Sequence, residues 1–329
     1  MTVIPITLAP GKRRAAIENF YQDVVRGLTA PQKYLDSKYF YDAKGDALFQ
    51  EIMQCHEYYL TGCEMEILSS QAAAIAAELC SSGEAFDIIE LGAGDATKSI
   101  HLLKYLAEKG VDYTYYPIDI SKNVISLLEK TLPANVPGLK LHGLNGEYFD
   151  MLKRVGNLST RKKVLLFMGA NIGNFNVAAA RSFCRELRSM LSPGDRLLTG
   201  FDLKKHPQMI LSAYNDGAGI TRAFNFNLLE RINRELDADF DISRFDHFPT
   251  YDPGTGACKS YLVSLANQKV RIGDDVVITF AEHETIYMEI SQKYSLPEIA
   301  QLAATSGFEP VTYFFDSKRW FTDCLWECY

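Results

Sequence analysis

Apolar residues recur at helical spacing in "AAIENFYQDVVRGL", and the first ~60 residues read as helix followed by loop, with no strand ahead of the first glycine turn. The Ala-rich run "EMEILSSQAAAIAAELC" from Glu64 to Cys80 is amphipathic and predicts a helix. "FDIIELG" predicts a buried strand by its length and β-branched residues, the first of a parallel sheet. There follow the helix "KSIHLLKYLAEKG", the strand "TYYPIDIS", the helix "NVISLLEKTL", the short strand "LKLHGL" and the helix "YFDMLKRV". The strand "KVLLFMGANIGN", the helix "AARSFCRELRSML" and the strand "DRLLTGFDL" complete the run. Such alternation specifies a doubly wound α/β sheet.

After Leu203 the alternation stops. "LSAYNDGAGITRAFNFNLLERINREL" reads as two short helices, and the stretch from Phe245 to Ser291 alternates with period two, as in "KSYLVSLA" and "TIYMEIS", which predicts antiparallel strands. This stretch is an insertion. One more helix, "SLPEIAQLAATSGF", is expected to start at the cap Ser295 with Pro297 in its first turn, and "EPVTYFFDSKRWFTDCLWEC" predicts a terminal antiparallel strand pair. The expected organisation is one domain over 62–203 and 292–329, and a second α+β domain over 14–61 and 204–291. No internal repeat or low-complexity segment interrupts this pattern.

Composition changes the picture mainly by exclusion. A chain of 329 residues with 47% hydrophobic residues can bury a large core. A formal net charge of −7 and the lack of a basic stripe argue against a nucleic-acid partner. No run approaches the ~20 apolar residues of a membrane helix, and the N-terminal stretch has no long apolar segment of a secretory signal. The 7 cysteines form no Cys-x-x-Cys pair and the 6 histidines lie at no metal-ligand spacing, so neither a disulfide framework nor a metal site is indicated. Cys55 and Cys63 lack a base at readable distance, which speaks against nucleophilic catalysis. A monomer in the reducing cytoplasm is the expected setting.

Chemistry enters at "IIELGAGDATKS", Ile88 to Ser99. Gly92 and Gly94 form a Gly-x-Gly, but Asp95, Ala96, Thr97 and Lys98 stand where a dinucleotide fingerprint would place its third glycine. In its order of elements the chain resembles class I S-adenosylmethionine-dependent methyltransferases. That cofactor has no pyrophosphate, so the loop needs only close backbone approach at Gly92 and Gly94. Asp119, ending "YPIDIS", is placed to accept hydrogen bonds from ribose hydroxyls; its simpler reading is an acid beside the helix cap Ser121.

A more specific resemblance rests on long blocks. "KYFYDAKGDALFQEI", "CHEYYLTGCEMEIL", "FMGANIGNF", "AYNDGAGITRAFNFNLLERINRELDADFD" and "YMEISQKYS" closely resemble, in order, the blocks of the histidine-specific Nα-methyltransferases of ergothioneine biosynthesis. Those enzymes bind a free amino acid between the methyltransferase core and a second domain, and methylate its amine three times. The resemblance implies that Tyr58, Glu289 and Ser291 surround the imidazole of L-histidine. It implies that Asn174 and Tyr214 hold the carboxylate and amino end, with Gly169 and Tyr41 near the amine. It assigns Gly92, Lys98 and Asp119 to the cofactor, with "GLNGEYFD" closing over adenine. Many family members carry an Asp-Phe pair in that segment, where this chain is read as offering Asn145 and Gly146.

Elementary chemistry agrees with the division of roles. A carboxylate and a hydroxyl two residues apart on a strand share a face, so Glu289 and Ser291 can meet both nitrogens of one imidazole. Taken singly, Glu289 and Ser291 would be a solvated strand face, and Tyr58 and Tyr214 core-edge aromatics. Methyl transfer to an amine needs alignment, a neutral lone pair and exclusion of water, so no dedicated base is expected; Asn174 would act as a clamp and Tyr41 as a route for the proton. Two other readings stand beside this one. One is the same chemistry on tryptophan or tyrosine, for which the "MEIS" pair is poorly suited. The other is a non-catalytic binding module.

Overall fold

The computed structural model describes residues 10–81 and 83–329. In chain order its elements are α1 (Pro10–Thr29), α2 (Ala43–Gln54), α3 (Tyr59–Leu79), β1 (Phe86–Leu91), α4 (Ile100–Glu108), β2 (Tyr113–Asp119), α5 (Lys122–Asn135), β3 (Lys140–Leu141), β4 (Leu144–Asn145), α6 (Tyr148–Leu158), β5 (Lys162–Phe167), α7 (Val177–Ser189) and β6 (Arg196–Asp202). Then come α8 (Pro207–Ala213), α9 (Ile220–Leu236), β7 (Phe245–Asp252), β8 (Ala257–Ser264), β9 (Gln268–Ile272), β10 (Val276–Phe280), β11 (Thr285–Gln292), α10 (Leu296–Thr305), β12 (Phe308–Phe315) and β13 (Phe321–Cys328). Two compact units result, one formed by the chain up to Tyr59 with His206–Ser291, the other by Leu60–Lys205 with Gln292–Tyr329.

The second unit is built on an 8-stranded sheet in the order β12-β13-β6-β5-β1-β2-β3, with β4 also paired to β2. All pairs from β6 to β4 are parallel, while β13 runs antiparallel to both β6 and β12. The strand order reverses between β1 and β5, the switch point at whose carboxyl ends open α/β sheets bind their ligands. This is the doubly wound sheet closed by an antiparallel hairpin that the alternation of patterns predicts. β1 is buried along its whole length, as a strand covered on both faces must be. Ile89, Leu91, Ile118, Leu165, Phe167, Phe201 and Trp326 lie in the core of this unit.

The first unit packs α1 and α9 with a three-stranded sheet, β11-β8-β7, and the pair β9-β10. Burial alternates along β7, β8 and β11, one face turned to Phe20, Leu28, Phe224 and Leu229 and the other to polar surroundings.

Several expectations are corrected at the level of elements. The segment before α3 is not loop alone: it contains α2, started by Asp42, whose carboxylate accepts from the Gly45 N–H. The single strand expected in "LKLHGL" splits into β3 and β4, because Gly143 sits so close to α5 that a Cβ there would fall 2.4 Å from Ile125. β5 ends at Phe167 instead of running to Asn174. Gly169 and Ala170 both adopt positive φ, +76° and +55°, which no strand can contain, and a 3-10 turn covers Asn171–Asn174. The second of the two helices expected after Leu203 is long, the 17 residues of α9. α3 begins at Tyr59 rather than Glu64 and kinks at Gln71, whose side-chain amide donates to the Phe315 carbonyl across 2.7 Å.

Candidate active site

At the end of β1 the chain turns through Gly92 at φ +73° and Gly94 at φ +52°. These are left-handed conformations that L side chains adopt only with strain. The N–H groups of Gly92 and Ala93 both donate to the Ile118 carbonyl, at 2.9 and 3.2 Å, and that of Gly94 donates to Oδ2 of Asp119 at 3.2 Å. The glycine loop is thereby zipped to the end of β2. The other Asp119 oxygen accepts from the Ser121 N–H at 2.8 Å, so its carboxylate is held in place and remains partly exposed. No third glycine is needed, since Asp95 closes the loop locally by accepting from the backbone and hydroxyl of Thr97.

Whether S-adenosylmethionine fits can be asked of the space around the glycines. A Cβ at Gly94 would meet nothing within 4 Å, so this bend is an open cradle lined by backbone. A Cβ at Gly92 would fall 2.7 Å from the Tyr148 hydroxyl, and Ile120, directly after Asp119, leaves 71% of its apolar surface uncovered. Open backbone, a fixed acid and an apolar surface suit an uncharged nucleoside joined to a methionine, and the residues fit the cofactor.

Asn145 lies beside the glycine loop, at the end of β4. Its amide donates to the carbonyls of Asp119 and Ile120, at 3.0 and 2.8 Å, so its donor side fastens β4 to β2. Tyr148, at the start of α6, stands beside the same loop, its hydroxyl pushed up to about 12 by burial and then by the charge of Asp119.

Beyond β5 the turn that bears Gly169 and Asn174 lies at the same edge of the sheet. The Gly169 N–H donates to Oε1 of Glu64 at 2.7 Å, while Asn174 ends the 3-10 turn with its side chain exposed. Lys98 is paired through Nζ with Glu64. Asn171, unremarked in the sequence, brings its amide nitrogen to 3.8 and 3.5 Å from the places a Cβ would take at Gly92 and Gly169.

In the first unit, three of the residues assigned to the substrate converge. Tyr58 and Tyr214 stand edge to face with ring centroids 6.1 Å apart, and the Tyr214 hydroxyl donates to Oγ of Ser291 across 2.7 Å. The Gly217 N–H reaches Glu57 at 3.3 Å, tying the Tyr214 loop to the segment before Tyr58. Asp216 caps α9 by accepting from the N–H groups of Ile220 and Thr221, at 2.8 and 2.7 Å. Glu289 and Ser291 occupy the half-buried face of β11, alternating with buried Met288 and Ile290. Tyr41 is placed with other rings, edge-on to Phe49 and Phe224 at 5.9 Å, and is 50% exposed.

Other groups are suited to structure. The Cys63 thiol is pushed up to about 12 by burial and the adjacent Asp316, the opposite of what a nucleophile needs. His247 is buried with Nε2 3.2 Å from Ser260 Oγ, and burial lowers it to about 4.

Residues 20–328 match the model of the S-adenosylmethionine-dependent, histidine-specific methyltransferases. The chain belongs to this family. It is 32% identical over 310 residues to a histidine N-alpha-methyltransferase of Mycolicibacterium smegmatis, spanning 94% of this chain and 92% of that one. A histidine N-alpha-methyltransferase of Mycobacterium tuberculosis is 32% identical over 303 residues, 92% of this chain and 90% of the relative. The ergothioneine biosynthesis protein 1 of Neurospora crassa is 33% identical over 312 residues, which are 91% of this chain but 34% of that longer protein. The methyltransferase is therefore S-adenosylmethionine-dependent, and the cradle after β1 is the feature of its fold suited to that cofactor.

Proposed function

We propose that this methyltransferase acts on the α-amine of free L-histidine and carries it through three transfers to hercynine, the trimethylated betaine. The observation that carries the substrate choice is the row of Glu289 and Ser291 on one face of β11, with Tyr214 donating to Ser291. An imidazole offers one N–H and one bare nitrogen. The Glu289 carboxylate accepts from the first; Ser291, with Tyr214 donating to its oxygen, presents its own O–H to the second. Indole has no second nitrogen, and a phenol carries its donor and acceptor on a single oxygen, which cannot span both partners. A polar pair desolvated by the ligand and left unmatched costs more than the contact itself gains, and this mismatch is the source of selection.

Gly92, Gly94, Lys98 and Asp119 would hold the cofactor, with Tyr148 beside the loop. The cofactor supplies a methyl group on a sulfonium, so that one N–C bond forms as one C–S bond breaks. The protein's part is alignment. Asn174, Gly169 and Tyr214 hold the amine and carboxylate, and Tyr58 closes on the ring. The amine must be neutral when it attacks, and Tyr41, half exposed, gives its proton a path to water. Orientation of this kind can supply roughly 7 kcal/mol or more of rate acceleration.

Among the described residues no helix is long and apolar enough to cross a membrane. We assign the enzyme to the cytoplasm as a monomer without a nucleic-acid partner, a reading supported by its net charge of −7. The test is incubation of the purified protein with S-adenosylmethionine and each common amino acid in turn, following product mass. Histidine alone should gain methyl groups, up to three. Preference for tryptophan or tyrosine would overturn the substrate, and no transfer to any amino acid would leave a binding module.

A further inference from the structure

In the sheet-bearing unit, three buried carboxyl groups and one partly buried ammonium gather from four segments. Glu64 projects from α3, Glu90 lies in β1, Lys98 follows the glycine loop and Asp323 lies in β13; the three acids are 1%, 4% and 0% exposed. Lys98 is paired with Glu64, and Glu90 and Asp323 lie close enough to feel the charges of both. Burial first, then the charge of Glu64, keeps the Asp323 carboxyl well above the usual range, and neither of its oxygens has a hydrogen-bond partner among the described residues. Glu90 accepts from the Tyr115 hydroxyl and is pushed up to about 7 by burial.

Glu64 is the member that reaches in two directions. One oxygen accepts from the Gly169 N–H at 2.7 Å, and the other is paired with the Lys98 ammonium. Room for it is made by β6: a Cβ at Gly200 would fall 2.4 Å from Oε1 of Glu64. The same carboxylate therefore governs the cation next to the glycine loop and the turn that leads to Asn174. A Cβ at Gly169 would lie only 3.6 Å from Lys98 Nζ, so the two groups it holds are neighbours.

We propose that Glu64 is a positioning residue of the methyl-transfer site, its one carboxylate setting both the Lys98 ammonium and the Gly169 backbone. This rests on the assignment of Lys98, Gly169 and Asn174 to cofactor and substrate. The role is one of positioning, since both oxygens of Glu64 are engaged by protein groups. Its charge keeps Lys98 from turning elsewhere, and its second oxygen keeps the Gly169 N–H from rotating out of the turn.

The test is calorimetric titration with S-adenosylhomocysteine, with kcat and KM for histidine and thermal denaturation alongside. Glu64→Gln keeps the size and a carbonyl for Gly169 but removes the charge that holds Lys98. It should weaken S-adenosylhomocysteine binding about tenfold or more, the range of a lost charge-assisted bond, in a protein that still folds. Lys98→Met should do the same, and the double variant should be no worse than either single one, because both remove one interaction. Asp323→Asn should leave binding within about threefold, because Glu64 and not Asp323 bonds Lys98 and the Gly169 N–H. Should Glu64→Gln fail to fold, Gly200→Ala displaces the carboxylate while keeping it, and the same loss of affinity is expected. Unchanged affinity in folded Glu64→Gln, additive losses in the double variant, or a tenfold loss in Asp323→Asn would each overturn the proposal. A wild-type protein that binds S-adenosylhomocysteine but does not methylate histidine would defeat the substrate reading, and the binding measurements would still decide on Glu64.

Discussion

Glu289 and Ser291 share a face of β11 because strand side chains alternate, and the Tyr214 hydroxyl donates to Oγ of Ser291. Glu289→Ala removes a charged acceptor from the proposed ring site. Histidine should then bind roughly ten to a hundred times more weakly, and the ratio of kcat/KM for histidine over tryptophan should fall, measured side by side on both proteins. A constant ratio would show that Glu289 does not read the ring. At Gly94 the backbone is bent to φ +52° with nothing within 4 Å of a would-be Cβ. Gly94→Ala should thus cost only the roughly 1–2 kcal/mol of left-handed strain in a urea titration. It should nonetheless abolish S-adenosylhomocysteine binding in calorimetry, because the methyl group fills the cradle. Retained affinity would remove the loop from the cofactor site.

At the scale of elements, the loops after β1, β2 and β5 are fixed by capping and zipping bonds, and so are the helices that carry the sheet. α10 starts in a capping box in which Ser295 and Glu298 satisfy one another's ends, with Glu298 also paired to Lys204 at 2.7 Å. Ser295→Ala should cost about 1 kcal/mol of stability, read as a lower urea midpoint at unchanged slope, with KM for histidine untouched. A larger loss, or a shift in KM, would mean that α10 does more than brace the sheet. The turn after β5 behaves differently. Of its two successive positive φ values, that of Gly169 is free to a glycine, and that of Ala170 is strain stored beside the Glu64 bond and Asn174.

Across the whole molecule, buried titratable groups pull stability in opposite directions with pH. Glu90 is raised from 4.5 to about 7 by burial, so the native state holds its proton more tightly than the unfolded chain does. Its contribution is complete below the unfolded value and is lost as pH rises towards 7. His247 is lowered from 6.5 to about 4, so its contribution is present above 6.5 and lost as pH falls. Glu90→Gln should accordingly gain on the wild type between pH 4 and 8, by up to about 3 kcal/mol. His247→Gln should gain by a similar amount, about 3 kcal/mol at most, between pH 7 and 4. Urea midpoints across that range check both; a variant curve parallel to the wild type would show that the group does not titrate as its surroundings dictate. The two groups lie in different units, each with its own core, so the two effects should add.

Periodicity and β-branched runs were enough to determine the doubly wound sheet, its closing hairpin and the inserted antiparallel strands, because burial on two faces or one leaves its period in the residues. Local rules also placed the Ser295 cap, and the glycine pair with Asp119 at the strand ends. The family was legible in long blocks such as "AYNDGAGITRAFNFNLLERINREL". What the sequence could not determine were contacts between residues far apart in the chain. Nothing local marks Glu64 as the partner of both Lys98 and Gly169, 34 and 105 positions away, or assigns the Asn145 amide to backbone carbonyls while Tyr148 approaches Gly92. The break in "LKLHGL" and the end of β5 at Phe167 were likewise decided by packing and backbone strain, which overrule local preference where a helix presses on a glycine or a turn must present an N–H.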